Sequence, residues 1–122
     1  MTGPREVIEA YWRAEERRDL DGVLDHYAED AELVVPEMGR LVGHSEIRKF
    51  YEESIENFPE LRVDIVRGIV DGPSGAFEWA SVHRDRAGKE YPCTGVNLVD
   101  VHEGKLQRVH VYYDPAVFAL GS

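Results

Sequence analysis

The chain has 122 residues, 43% of them hydrophobic, which is the size and apolar content of one domain with a single sizeable core. Asp and Glu outnumber Lys and Arg by 24 to 14, a formal net charge of −10 with no dense basic stripe, so polyanionic partners such as nucleic acid are not expected. No apolar run approaches membrane-spanning length and MTGPREVIEAYW lacks a signal-peptide core, so no membrane partner and a cytoplasmic location are the expectation. Cys93 is the only cysteine, which rules out an intrachain disulfide or a thiolate metal cluster and fits a small half-buried strand residue better than a nucleophile.

Pro4 sits where a first helical turn tolerates proline, and Val7, Ile8, Tyr11, Trp12 and Ala14 recur at helical intervals. The spacing predicts an amphipathic helix over residues 4–18, with Arg13, Glu15, Glu16, Arg17 and Arg18 on its wet side. Asp19 and Asp21 can cap a short second helix whose apolar face is Val23, Leu24 and Tyr27. Residues 31–35 have the β-branched character of a strand, and Pro36 stops it because proline cannot donate to the ladder. After a turn, Gly43 releases the backbone, His44 or Ser45 caps, and Ile47, Phe50, Tyr51 and Ser54 mark a third helix that closes between Asn57 and Pro59.

The second half reads as strands. Leu61, Val63 and Ile65 alternate until Val66-Arg67-Gly68, where a bulge or bend lets Ile69 and Val70 rejoin the sheet. Gly72 to Gly75 is a turn into a strand over residues 76–84, with Phe77, Trp79, Ser81 and His83 on one face and Ala76, Glu78, Ala80 and Val82 on the other. Both faces carry apolar groups, which fits a sheet covered on both sides. Turns at residues 85–88 and at Glu103-Gly104 set off strands over 89–101 and 106–113, and Asp114-Pro115 opens a short terminal helix with Val117, Phe118 and Leu120. Helices first and antiparallel strands after make an α+β domain spanning residues 1–122, a strongly curved sheet wrapped around the N-terminal helices.

Four groups of residues carry a family resemblance: Asp19-Leu20-Asp21-Gly22; Tyr27 to Ala31; Gly43-His44 with Ile47 and Phe50; and Gly104-Lys105 followed by Tyr112-Tyr113-Asp114-Pro115. Together they span almost the whole chain and resemble the SnoaL-like and ketosteroid-isomerase-like enzymes of the nuclear-transport-factor-two superfamily. The resemblance implies a cystatin-like cone, with the N-terminal helices packed in a mainly antiparallel sheet. It also implies an apolar pocket between helices and sheet whose few polar groups decide the reaction.

Tyr11 stands where the ketosteroid-isomerase pattern places its oxyanion-hole tyrosine, a phenol able to donate a short hydrogen bond to a developing enolate. It also fits a core tyrosine on the buried face of the first helix, since buried aromatics are mainly core. The same resemblance puts Val35 where the family carries its proton-shuttling aspartate and Val96 near its second oxyanion-hole acid, and neither side chain moves protons. The polar cluster of the limonene-epoxide-hydrolase relatives maps approximately to Ala80, Val82 and Val111, which cannot activate water. Asp114 resembles the aspartate that ends the last strand in SnoaL-type cyclases, although Asp-Pro at a helix start is also an N-cap. His110 is expected to face outward, as is His83 beside Trp79. No histidine has metal-ligand spacing, so no metal and no cofactor are expected.

Two classes of function follow. One is a cofactor-independent isomerase or cyclase acting by general acid/base chemistry on a hydrophobic carbonyl compound, with Tyr11, Tyr113 and Asp114 as the polar contacts and Val35, Val96, Val109 and Val111 as apolar walls. The other is a non-catalytic module that binds a hydrophobic small molecule or a protein partner; an epoxide-hydrolase-type enzyme is a third. Phe77 and Trp79, if they lie on the convex face, need cover and suggest a homodimer through the sheet.

Overall fold

The computed structural model describes residues 3–119; Leu120, expected in the terminal helix, lies outside them. Helix α1 runs Pro4–Glu16, with proline at its first turn and Val7, Ile8, Tyr11, Trp12 and Ala14 buried. Its C-terminus closes through Arg18, a non-glycine residue at φ 53°. The Arg18 amide bonds Glu15 O and the Asp19 amide bonds Ala14 O, the paired bonds of a left-handed helix end that glycine normally supplies. Helix α2, Leu20–Asp25, starts at Asp19, whose side chain accepts from the Gly22 amide as the sequence predicts.

Strand β1, Tyr27–Val35, begins four residues earlier than the β-branched run indicates, because a register shift between Tyr27 and Glu32 lets the segment bend onto its neighbour before regular pairing starts. It ends at Pro36, and a short β2, Gly39–Val42, folds back on it where the sequence shows only a turn. Helix α3, Gly43–Asn57, buries Ile47 and Tyr51. Neither His44 nor Ser45 caps it. Glu46 reaches back to accept from the Val42 amide, and the His44 ring bonds the Tyr27 carbonyl.

Strands β3 (Glu60–Asp71), β4 (Ser74–Arg84), β5 (Glu90–His102) and β6 (Lys105–Tyr113) complete one six-stranded sheet in the order β2-β1-β6-β5-β4-β3. All neighbours pair antiparallel except β1 and β6. The slip read at residues 66–68 is a register shift between Ile65 and Arg67. A short helix α4, Ala116–Ala119, follows.

The sheet curls around α1, α2 and α3, and the core fills the concave side. Phe77 is fully buried there and Trp79 nearly so. This corrects the expectation that they cover the convex face: alternation puts them on one face, but only the fold says which. The Phe77 ring lies where a Cβ on Gly68 or Gly75 would stand, so those glycines clear its seat. Burying such a side chain is worth about 2–3 kcal/mol. The outer face instead exposes Tyr112, Leu98 and Ile69.

Candidate functional site

Between α1, α3 and the concave sheet lies a cavity of about 420 Å³, the size of a small-molecule site. Its helix wall includes Tyr11, Glu15 and Tyr51, and its sheet wall includes Trp79, Ser81, His83, Asn97 and Tyr113. The register explains the sheet wall. Residues 79, 81 and 83 of β4 share the concave face, and Trp79 and Tyr113 both pair with Gly95 of β5. A Cβ on Gly95 would stand 2.5 Å from the Trp79 ring, so the missing side chain lets the Trp79 and Tyr113 rings approach to 6.1 Å between centroids.

A chain of oxygens runs through the helix wall. Tyr11 Oη donates to Glu15 Oε2 across 2.7 Å. Tyr51 Oη lies 2.6 Å from Tyr11 Oη, and Tyr27 Oη 2.6 Å from Tyr51 Oη. With the Tyr11 proton on Glu15, the order of donation is fixed: Tyr27 donates to Tyr51 and Tyr51 to Tyr11. Burial pushes all three phenols above their ordinary range, so each keeps its proton. Burial also raises Glu15, while the Tyr11 hydrogen bond and Arg18 pull it back. Arg18 Nη1 stands 3.6 Å from Glu15 Oε1, and the same guanidinium donates to the carbonyls of Phe58 and Ser54, tying α1 to α3.

Glu15 and Arg18 were expected on the wet side of the first helix; their side chains are only 12% and 9% exposed. The signal available was spacing. Glu15 falls one helical turn after Tyr11, and that position shares its face.

Of the residues proposed from sequence, Tyr11 and Tyr113 both line the cavity. The Tyr113 hydroxyl donates to Glu37 at the β1–β2 turn. Asp114 is not brought to them. It is exposed, outside the cavity lining, and accepts from the Ala116 amide at the start of α4. Val35 and Val111 are walls as expected, whereas Val109 is packed in the core. Val96 pairs with exposed Tyr112 on the outer face, and its neighbour Asn97 holds the inward position, accepting from Trp79 Nε1 at 2.8 Å. In the same way Ala80 and Val82 belong to the outer face, and Ser81 and His83 to the cavity.

His83 therefore faces inward, not outward. Its ring packs edge-on between Phe58 and Phe118, and burial, helped by Arg18, lowers its pKa to about 4. His110 does face out, with Nε2 3.2 Å from Glu32 Oε1. Burial pushes the Cys93 thiol up to about 11, so it is no ready nucleophile. Among the described residues no three His, Cys, Asp or Glu side chains gather as metal ligands, and no helix is long and apolar enough to cross a membrane.

A helix-filled, curled sheet with a cavity on its concave side defines the NTF2-like α+β fold, and solved structures agree. An NTF2-like protein from Burkholderia pseudomallei superposes with TM-score 0.85 at 20% identity, covering 98% of this chain and 97% of that one. TerC co-crystallised with polyporic acid gives TM-score 0.83 at 22% identity, covering 95% of each chain. A protein of ketosteroid-isomerase-like fold from Catenulispora acidiphila, in complex with trimethylamine, gives 0.83 at 15% identity over 95% of this chain and 90% of that one. At these identities the likeness is one of fold. The sequence profile of the SnoaL-like domain matches residues 8–109, and the chain belongs to that family. A search of curated proteins finds no match.

Proposed function

We propose that the protein is a cofactor-independent acid/base enzyme of the isomerase or cyclase type, acting on a hydrophobic carbonyl compound held in the cavity. The observation that carries this reading is the buried Tyr11–Glu15 pair at the cavity wall. Burial makes Glu15 a stronger base than a solvated carboxylate, closer to the neutral range where general bases work best. In the proposed step Glu15 takes a proton from the carbon next to the substrate carbonyl. The C–H electrons move into the enolate, and the charge gathers on oxygen.

Tyr11 supplies the hydrogen bond to that oxygen. Before the step its proton is held by the Glu15 carboxylate; once Glu15 is protonated it no longer needs a donor, and the phenol can turn to the substrate. The base thus releases the oxyanion donor as negative charge develops, with Tyr51 and Tyr27 supporting the Tyr11 oxygen from behind. Returning the proton to another carbon completes an isomerisation. Tyr113, already bonded to Glu37, acts as a wall at the rim.

A non-catalytic small-molecule binder is the second reading, supported by the aliphatic walls Val35 and Val111. Both readings propose self-association through the outer sheet face, where Tyr112, Leu98 and Ile69 are exposed. Thermal-shift titration with steroids, aromatic polyketides and terpene epoxides tests the pocket. Stabilisation by carbonyl compounds that is lost in Tyr11→Phe supports it, and no shift with any compound overturns it.

A further inference from the structure

Two polar atoms of the sheet wall have no partner among the described residues: Ser81 Oγ and His83 Nδ1, both buried. Ser81 is 5% exposed. The two residues alternate on the concave face of β4, about 6.6 Å apart along the strand at roughly 3.3 Å per residue. Apolar neighbours flank them: Val63 and Cys93 beside Ser81, Leu61 and Tyr91 beside His83. A buried polar atom is costly unless it is bonded, and with no partner among the described residues the cavity is the side from which one can come.

The charge of the lining limits what that partner is. Glu15, Glu37 and Glu53 line the cavity, and among the described lining residues there is no Lys or Arg. Arg18 lies behind, engaged with Glu15, Ser54 and Phe58. An anionic substituent meets three acidic side chains and no cationic one among the described lining residues, so the fitting group is uncharged. A hydroxyl matches best: serine and a neutral imidazole can each donate or accept, and a hydroxyl can pair with either of them in either sense. The aromatic walls Trp12, Phe50, Phe58, Trp79 and Phe118 suit a flat ring system.

Resting on the pocket reading above, we infer that Ser81 and His83 form a second polar subsite, which selects hydroxylated ring ketones. It holds a hydroxyl of the ligand on the sheet wall while the carbonyl faces Tyr11 and Glu15 on the helix wall.

The test uses two uncharged probes, α-tetralone and its counterpart with a phenolic hydroxyl on the far ring, titrated into the full chain. The readout is fluorescence of Trp12 and Trp79, the chain's two tryptophans, both in the cavity lining. The wild type is expected to bind the hydroxylated probe about tenfold tighter, the scale of one well-made hydrogen bond to a buried group. Ser81→Ala and His83→Phe should bring that preference to within about twofold while α-tetralone binds as before. His83→Phe keeps a ring between Phe58 and Phe118, and Ser81→Ala should leave the melting temperature unchanged or higher, since it removes a buried group that lacks a partner among the described residues. Equal binding of both probes to the wild type, or a preference that survives both substitutions, overturns the subsite and leaves the pocket standing. No binding of either probe overturns the subsite and the pocket reading together.

Discussion

Tyr11 and Glu15 stand one helical turn apart on α1, and the phenol of the first donates to the carboxylate of the second across 2.7 Å. Each depends on the other. Without Glu15, the Tyr11 proton has no fixed acceptor; without the Tyr11 oxygen, the proton of Tyr51 has none. Tyr11→Phe should therefore lower stability by about 1–3 kcal/mol through the orphaned Tyr51 hydroxyl, with little change in packing. Urea denaturation measures it, and an unchanged midpoint would show that the phenol chain is not a stabilising unit.

His83 gives the stability a pH dependence of defined sign. Its pKa is about 4 in the folded chain against about 6.5 in an unfolded one, so between those values the unfolded state binds the extra proton. The contribution is present above pH ~6.5 and is lost as pH falls toward about 4, at most about 3 kcal/mol and less for the part of the ring that solvent screens. Glu15, raised by burial, contributes with the opposite sign, losing stability as pH rises above its unfolded value. Comparing wild type with His83→Phe isolates the histidine. The difference in unfolding free energy between the two should change across pH 4–6.5 and be flat above it.

Gly95 is the gap that Trp79 and Tyr113 occupy. In Gly95→Ala the new methyl meets the Trp79 ring at 2.5 Å and, closer still, the backbone oxygen of Tyr112, which cannot move without breaking the sheet. A loss of about 1–3 kcal/mol is expected, together with a changed near-ultraviolet circular dichroism signal from Trp79. Wild-type stability and spectrum in this variant would contradict the packing described.

The outer sheet face makes a separate prediction. If it mediates self-association, Tyr112→Glu or Leu98→Glu should give monomers of unchanged stability in sedimentation equilibrium, because both side chains are exposed. Trp79→Glu should instead unfold the chain, since that side chain is 8% exposed and bonded to Asn97. A monomeric wild type would remove this face as an interface.

Much of the architecture was legible because periodicity reports it directly. The apolar spacing of α1, the Asp19 cap, the stop at Pro36 and the slip at residues 66–68 all follow from local chemistry. The cavity was less legible, for two physical reasons. A strand has a period of two, so one residue decides the face: Asn97 lines the cavity and Val96 does not, and Ser81 and His83 line it where Ala80 and Val82 lie on the outer face. Charge also hides burial. Glu15 and Arg18 look solvated in a helix rich in charge, and only their mutual pairing, with Tyr11 and α3, makes burial tolerable. Asp114 shows the converse, a residue that local sequence marks as a cap and that the structure shows accepting from the Ala116 amide.

The most direct measurement is exchange of the α-protons of α-tetralone in D₂O, followed by proton NMR with and without the protein. The expected result is accelerated exchange that falls by about 10²–10⁴-fold in Glu15→Gln, the range for loss of a general base, and is also reduced in Tyr11→Phe. Exchange no faster than in buffer, while the probe binds, would contradict acid/base chemistry and leave a binding protein. Accelerated exchange that is unchanged in Glu15→Gln would show that the base lies elsewhere.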